Sequence, residues 1–548
     1  MHFLKAFATA ATLIPIWVSA LPKVTRTGRY LYQENGTRFY IKGVAYQEQR
    51  TVTAHGLIEF PDRTDYVDPL ANANGCNRDL PYLKQLVVNT IRVYSVNSAL
   101  NHDSCMQALS QAGIYVILDL ALPVNGSIDG FSPTWTSNLL DLYIGTVHAF
   151  LKYDNVLAYN VGNRVVNSRT QTHSAPFIKA AARDVKAYLK SKGSSALVGY
   201  SSTDGGDGAG KHGWKTRLLA DYLACDTDAT SIDLYGLDVY RWCGEFGSIS
   251  DYSPIISYFK DYPIPAYFSE FGCIISVPRR WNEVPVLFGE QMVNEWSGGV
   301  AFSYFPTGDD YGMVDISTDG SVTTTDDFTY LQTQYNAVSF INSPAQHAAG
   351  RNTHSKCPSN TDDLRASTTL PRTPTNDVCE CLEKKAFGCV FSNTGSNNTS
   401  DIIDELFSYA CSQIEGIGGC AQLSADGATG TYGLFSVCSP TTKLSYALSL
   451  YYAQSGSCNF DGNATVISTG PTNIDAAFNA MISCTTEYPI GIKVPADPTP
   501  TVPSTKGASH PTQPGDLISA AGFADARGTL ITMIASVGGV AGGMFLLL

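Results

Sequence analysis

Glu270 closes a short apolar run, Tyr267-Phe-Ser-Glu270-Phe-Gly-Cys273, and a second such run, Ala158-Tyr-Asn-Val-Gly-Asn163-Arg164-Val165, ends in an amide followed by a cation. A carboxylate at the end of a strand-like run is held by a rigid element and aimed at whatever lies beyond it. Cleaving a glycosidic bond with retention takes two carboxyl groups about 5–5.5 Å apart, one attacking the anomeric carbon and the other protonating the leaving oxygen. Glu270 has the type and setting for the first. The other run offers no such group for the second role: it ends in Asn163 and Arg164.

Arginine stays protonated in proteins, so Arg164 cannot deliver a proton to a leaving group or take one from an acceptor. General acid catalysis is typically worth about 10²–10⁴-fold, or roughly 3–5.5 kcal/mol. A guanidinium about 5 Å from Glu270 is expected to pair with it, depress its pKa and compete with sugar for its oxygens. Asp238 and Glu245 are the carboxyls on the same rim that could replace the missing acid.

Positioning these residues requires a scaffold, and the first 305 residues supply one. Apolar, β-branched and aromatic runs near Phe39–Ala45, Thr90–Tyr94, Tyr115–Asp119, Val156–Gly162, Ala196–Tyr200, Ser231–Tyr240, Ala266–Ser269 and Gly299–Phe305 alternate with helical segments. Eight such units imply an α/β chain forming a (β/α)8 TIM barrel, whose active residues gather at the C-terminal strand ends. A doubly wound sheet is the alternative, but no glycine-rich phosphate loop follows the first strand. The barrel places Asp119, Asn163, Arg164, Tyr240 and Glu270 at one mouth.

The rest of the chain of 548 residues reads as modules. Residues 1–20 form a secretory signal ending Val18-Ser-Ala20, residues 21–342 the barrel domain, and residues 343–377 a Ser/Thr/Pro/Asn-rich linker. Residues 378–488 hold eight of the 14 cysteines and read as a small disulfide-stapled domain. A Pro/Ser/Thr-rich stalk covers 489–519. Residues 520–548 end in an apolar run after the small residues Ser519-Ala-Ala521, which fits a glycosylphosphatidylinositol signal removed on anchoring at Ser519. A retained membrane helix is the competing reading of that tail. Sequons at Asn35, Asn125, Asn397, Asn398 and Asn463 agree with an extracellular route. A net charge of −13 without a basic run argues against nucleic acid as a partner.

The dense series Lys42-Gly-Val-Ala-Tyr46-Gln, Asp68-Pro-Leu-Ala71, Cys76-Asn-Arg-Asp79, Asn89-Thr-Ile-Arg-Val-Tyr94, Asn101-His-Asp103, Cys105-Met106, Ser269-Glu-Phe-Gly-Cys273 and Trp296-Ser-Gly-Gly299 resembles glycoside hydrolase family 72, the fungal cell-wall β-1,3-glucanosyltransferases. Leu448-Ser-Leu-Tyr-Tyr452 and Ser457-Cys-Asn-Phe-Asp-Gly-Asn-Ala-Thr465 resemble carbohydrate-binding module family 43. The resemblance implies internal cleavage of a β-1,3-glucan through a covalent intermediate and transfer of the remainder to another glucan chain. It implies no cofactor and no metal, a monomer, and a place at the outer face of the plasma membrane and in the wall.

Carried over by position, the resemblance makes Glu270 the nucleophile and Arg164 the replacement of the acid/base glutamate. Asn163 would hold the sugar 2-hydroxyl, and Tyr46, Tyr94, Asp119, Tyr240 and Phe302 would line the substrate. It also implies the disulfides Cys76–Cys105, Cys225–Cys357 and Cys243–Cys273. The departures cluster: Asn-Glu becomes Asn163-Arg164, a motif resembling Met-Asn-x-Tyr-Glu-Trp-Cys-Gly reads Leu237-Asp238-Val-Tyr-Arg241-Trp-Cys-Gly244, and Phe302 stands where a tyrosine is expected. Two functions compete: an active glucanosyltransferase, and a glucan-binding protein with weak or no turnover.

Overall fold

The computed structural model describes residues 21–48, 66–122, 126–205, 214–245, 247–351, 353–392 and 399–498. The signal segment, Asn125, Asn397, Asn398, most of the stalk and the anchor signal with Ser519 lie outside them. Eight parallel strands close into a ring: β1 Ile41–Ala45, β2 Thr90–Val93, β3 Tyr115–Asp119, β4 Val156–Asn163, β5 Leu197–Thr203, β6 Leu234–Val239, β7 Ala266–Phe271 and β8 Trp296–Ala301. All but β4 and β5 are buried along their whole length, which is why they read as unbroken apolar runs rather than alternating ones. Closure joins β8 to β1, with Gly298 opposite Ile41. Gly298 has φ +88, and a Cβ there would lie 2.3 Å from the Ile41 carbonyl oxygen, so only glycine lets the last strand meet the first.

Helices cover the ring. The longest spans Ala175–Ser191. It starts with Pro176 in its first turn and buries Phe177, Ile178, Ala181, Val185, Tyr188 and Leu189 against the strands. A three-stranded antiparallel sheet, Val24–Thr27, Tyr30–Gln33 and Arg38–Phe39, seals the other end. Its Val24, Leu31 and Phe39 join Tyr115, Leu157, Leu197 and Leu234, which begin or lie near the beginnings of barrel strands. Among the described residues the ring is thus covered at the end where its strands begin.

Disulfides Cys76–Cys105, Cys225–Cys357 and Cys243–Cys273 staple the barrel. The distal domain has its own core around Val378, Leu382, Phe387, Phe435, Leu444 and Leu448. Its pairs are Cys379–Cys438, Cys381–Cys484, Cys389–Cys458 and Cys411–Cys420, a connectivity the cysteine spacing alone left open. The segment between the two domains lies along the barrel, with Leu364, Ala366 and Thr373 buried. No helix among the described residues is long and apolar enough to cross a membrane.

Candidate active site

Glu270 sits near the end of β7 and is 3% exposed. Its two carboxylate oxygens are fully committed. Oε1 accepts from the Tyr94 hydroxyl at 2.9 Å, with the Arg92 guanidinium 3.6 Å away. Oε2 accepts from the Tyr240 hydroxyl at 3.0 Å and from Arg164 Nη2 at 2.5 Å. Three strand ends therefore converge on one carboxylate.

Arg164 follows β4 directly and takes a left-handed backbone, φ 54, which costs a non-glycine residue roughly 1–2 kcal/mol. Its N–H donates to the Ser201 carbonyl at 2.9 Å and its carbonyl accepts from the Asn167 amide at 2.6 Å. These bonds turn the side chain across the mouth rather than away from it. Nε donates to Asp238 Oδ2 at 2.6 Å, so the guanidinium bridges Asp238 and Glu270. Asp238 is 3% exposed, and its Oδ1 accepts from the Ser269 hydroxyl at 2.8 Å.

Burial opposes the charge on Arg164, but Glu270 and Asp238 outweigh it and hold the guanidinium above its ordinary pKa. The expected depression of Glu270 does not follow. Burial dominates and, with Asp238 beside it, lifts the carboxyl above the usual range despite the pull of Arg164 and Arg92. Sequence reveals the neighbouring cation but not the desolvation.

Asn163, the last residue of β4, has its side-chain oxygen buried without a hydrogen-bond partner, an acceptor left for a ligand hydroxyl. Phe302 stands just past β8 between Tyr94 and Tyr311, with ring centroids 6.4 and 5.3 Å away. Tyr311 also meets Tyr240 at 5.8 Å, so the four rings form one wall of the mouth.

Two expected sugar-lining residues lie a layer deeper. Both oxygens of Asp119 are taken by Arg92, at 3.2 and 2.8 Å, and Oδ1 also accepts from Asn160 at 2.7 Å. The Tyr46 hydroxyl donates to Asp79 at 2.8 Å, and its ring packs on Phe305. Each is buried and reaches the mouth only through what it supports.

Of the two expected rescue carboxyls, Asp238 lies under Arg164, and the Glu245 side chain is 67% exposed and 3.9 Å from Arg280. Arg241 pairs with Asp204 through both Nε and Nη2 rather than with Glu270. Sequence reasoning missed Arg92, Tyr311, Ser269 and Asp204. Arg92 and Ser269 stood in quoted motifs and could have been found there, whereas Tyr311 and Asp204 are joined to the site only by folding. Among the described residues no group of His, Cys, Asp and Glu is placed to hold a metal ion.

An eight-stranded parallel barrel with a buried glutamate near the end of its seventh strand has the architecture of a barrel glycosidase. Residues 17–339 match the glucanosyltransferase family, and residues 387–465 match the X8 domain. The chain belongs to the glucanosyltransferase family. It is 38% identical over 474 residues to 1,3-beta-glucanosyltransferase gas1 of Schizosaccharomyces pombe, covering 85% of this chain and 83% of that one. It is 36% identical over 446 residues to 1,3-beta-glucanosyltransferase GAS2 of Saccharomyces cerevisiae, covering 78% and 76%. A solved structure of a Saccharomyces cerevisiae Gas2p mutant with laminaritetraose and laminaripentaose superposes with TM-score 0.73 at 33% identity, covering 85% of this chain and 99% of that one.

Proposed function

We propose that this chain binds β-1,3-glucan at the barrel mouth, as part of cell-wall glucan remodelling, but transfers it slowly or not at all. The observation that carries this reading is the Arg164 guanidinium on Glu270, 2.5 Å away, where the reaction needs a proton donor. Without that donor the leaving glucan oxygen must depart unprotonated. Attack through Oε2 requires Arg164 to release that oxygen. Loss of general acid catalysis alone accounts for about 10²–10⁴-fold.

Binding has its own support. The solved Gas2p structure of the same fold holds laminari-oligosaccharides. Here the unpartnered Asn163 oxygen suits the 2-hydroxyl of a sugar, and the wall of Tyr94, Phe302, Tyr311 and Tyr240 suits its apolar face. The distal domain, matching X8 and carrying the motifs of a carbohydrate-binding module, supplies a second glucan contact. Secretion, removal of the tail and anchoring at Ser519 place the protein at the outer face of the membrane as a monomer. Release from cells by phosphatidylinositol-specific phospholipase C tests the anchor.

The test of function pairs calorimetric titration with laminaritetraose against mass spectrometry of products from reduced laminari-oligosaccharides. Binding with no elongation is expected. Elongation by the wild type as fast as by the 1,3-beta-glucanosyltransferase GAS2 of Saccharomyces cerevisiae assayed alongside it overturns the reading.

A further inference from the structure

We infer that Asp238 is a positioning residue that locks Arg164 onto Glu270, and that Arg164 and Asp238 form one exchanged unit: restoring a glutamate at position 164 revives transfer only when Asp238 is also neutralised. The inference rests on the reading of function given above.

The argument starts from side-chain lengths. Counted from Cα, the Nε of arginine is as many bonds out as the carboxyl oxygens of glutamate. A glutamate at 164 following the path of Arg164 puts an oxygen where Nε lies, in contact with Asp238 Oδ2, now 2.6 Å from that nitrogen. Two carboxyl groups at that distance hold one proton between them and cannot both ionise. Glu270 is the third carboxylate of the cluster. The remaining cation, Arg92, lies 3.9 Å from Asp238 and 3.6 Å from Glu270 but is already paired with Asp119.

Asp238 cannot swing aside, because it is 3% exposed and its other oxygen is held by Ser269. The acid proton of the restored glutamate is then held in a short bond to Asp238, away from the leaving oxygen. An asparagine at 238, the residue type in the motif this segment resembles, instead donates an N–H to the same glutamate oxygen and adds no charge. In the present chain the bond runs from Arg164 Nε–H to the Asp238 oxygen. Exchanging both residues keeps the hydrogen bond and reverses its direction.

The experiment compares wild type, R164E, D238N and R164E/D238N in laminari-oligosaccharide elongation, with melting temperatures recorded for each. The double variant is expected to elongate at least about 100-fold faster than wild type, and R164E alone to reach no more than about a tenth of the double. The acid limb of the kcat/KM profile, set by ionisation of Glu270, is expected at higher pH in R164E than in the double, a shift that a merely structural role of Asp238 does not produce. R164E as fast as the double, or with the same acid limb, overturns the inference and leaves the reading of function standing. Wild type as fast as the double overturns that reading instead.

D238N alone gives an arm independent of the folding of R164E. Loss of the Asp238 charge weakens the Nε anchor and loosens the guanidinium on Glu270, and laminaritetraose affinity is expected to rise about 3–10-fold, the scale of one hydrogen bond. Unchanged affinity overturns the positioning role.

Discussion

Arg164 acts on this site in two ways that differ in kind: it holds its protons too tightly to give one, and it occupies the carboxylate that would attack. Its ion pairs also hold the mouth together. Arg164→Ala leaves Asp238 and Glu270 buried side by side, and the variant is expected to lose about 2–3 kcal/mol. This is below the range for fully buried pairs because 25% of the arginine side chain meets solvent. Thermal denaturation checks this, with R164A/D238N expected to lose less than R164A because one of the two stranded charges is gone. An additive loss in the double variant contradicts the coupling. The lesion at 164 was legible in sequence, since one residue type breaks a two-carboxyl requirement. Asp238 was placed on the same rim, but its pairing with Arg164 was not legible, because the two lie 74 residues apart and meet only when β4 and β6 face one cavity. The direction of the Glu270 pKa was misjudged for a related reason: a sequence shows neighbours in a motif but not how much water the fold removes.

The strands were the most legible elements, because a fully buried parallel strand needs an unbroken apolar run and eight such runs recur. Their ends were less so. The last run was expected from Gly299 to Phe305, yet β8 ends at Ala301, leaving Phe302 free to join the aromatic wall. The loop after β7 holds a testable element of another kind. Glu283 precedes the short helix Val284–Leu287, is 5% exposed, and has its pKa raised by burial from 4.5 to about 7, against the pull of its own backbone N–H and Arg279. Because the folded pKa is raised, the neutral form contributes stability that is full below pH 4.5 and is lost as pH rises through 7. The loss is on the order of 3 kcal/mol. Glu283→Gln is expected to flatten that decline when denaturant midpoints are measured from pH 4 to 8. A decline of unchanged slope contradicts the assignment.

The molecule as a whole is less modular than its composition suggests. The segment read as a linker docks on the helix Ala175–Ser191, where Asp184 accepts from Trp135 at 2.8 Å, from Arg183 at 2.8 and 2.9 Å and from Thr373 at 2.7 Å. Arg183 also donates to the Pro371 carbonyl at 2.7 Å, and Phe177 meets Tyr432 of the distal domain edge-on at 5.7 Å. Proline and threonine there mark an extended strap that buries its backbone polar groups on the barrel, a role composition cannot distinguish from a free tether. Asp184→Ala strands the buried Arg183 charge and is expected to cost about 3–5 kcal/mol. In calorimetry the barrel and distal domain are expected to melt together at a lowered temperature. A distal transition that stays in place while the barrel's falls contradicts the docking.

The most direct measurement is product analysis by mass spectrometry after wild type and R164E/D238N are each incubated with reduced laminari-oligosaccharides. The account predicts elongated glucans from the double variant and few or none from wild type, a gap of at least about 100-fold. Equal elongation by the two proteins would show that a chain with Arg164 on Glu270 still transfers glucan, and would contradict the central claim.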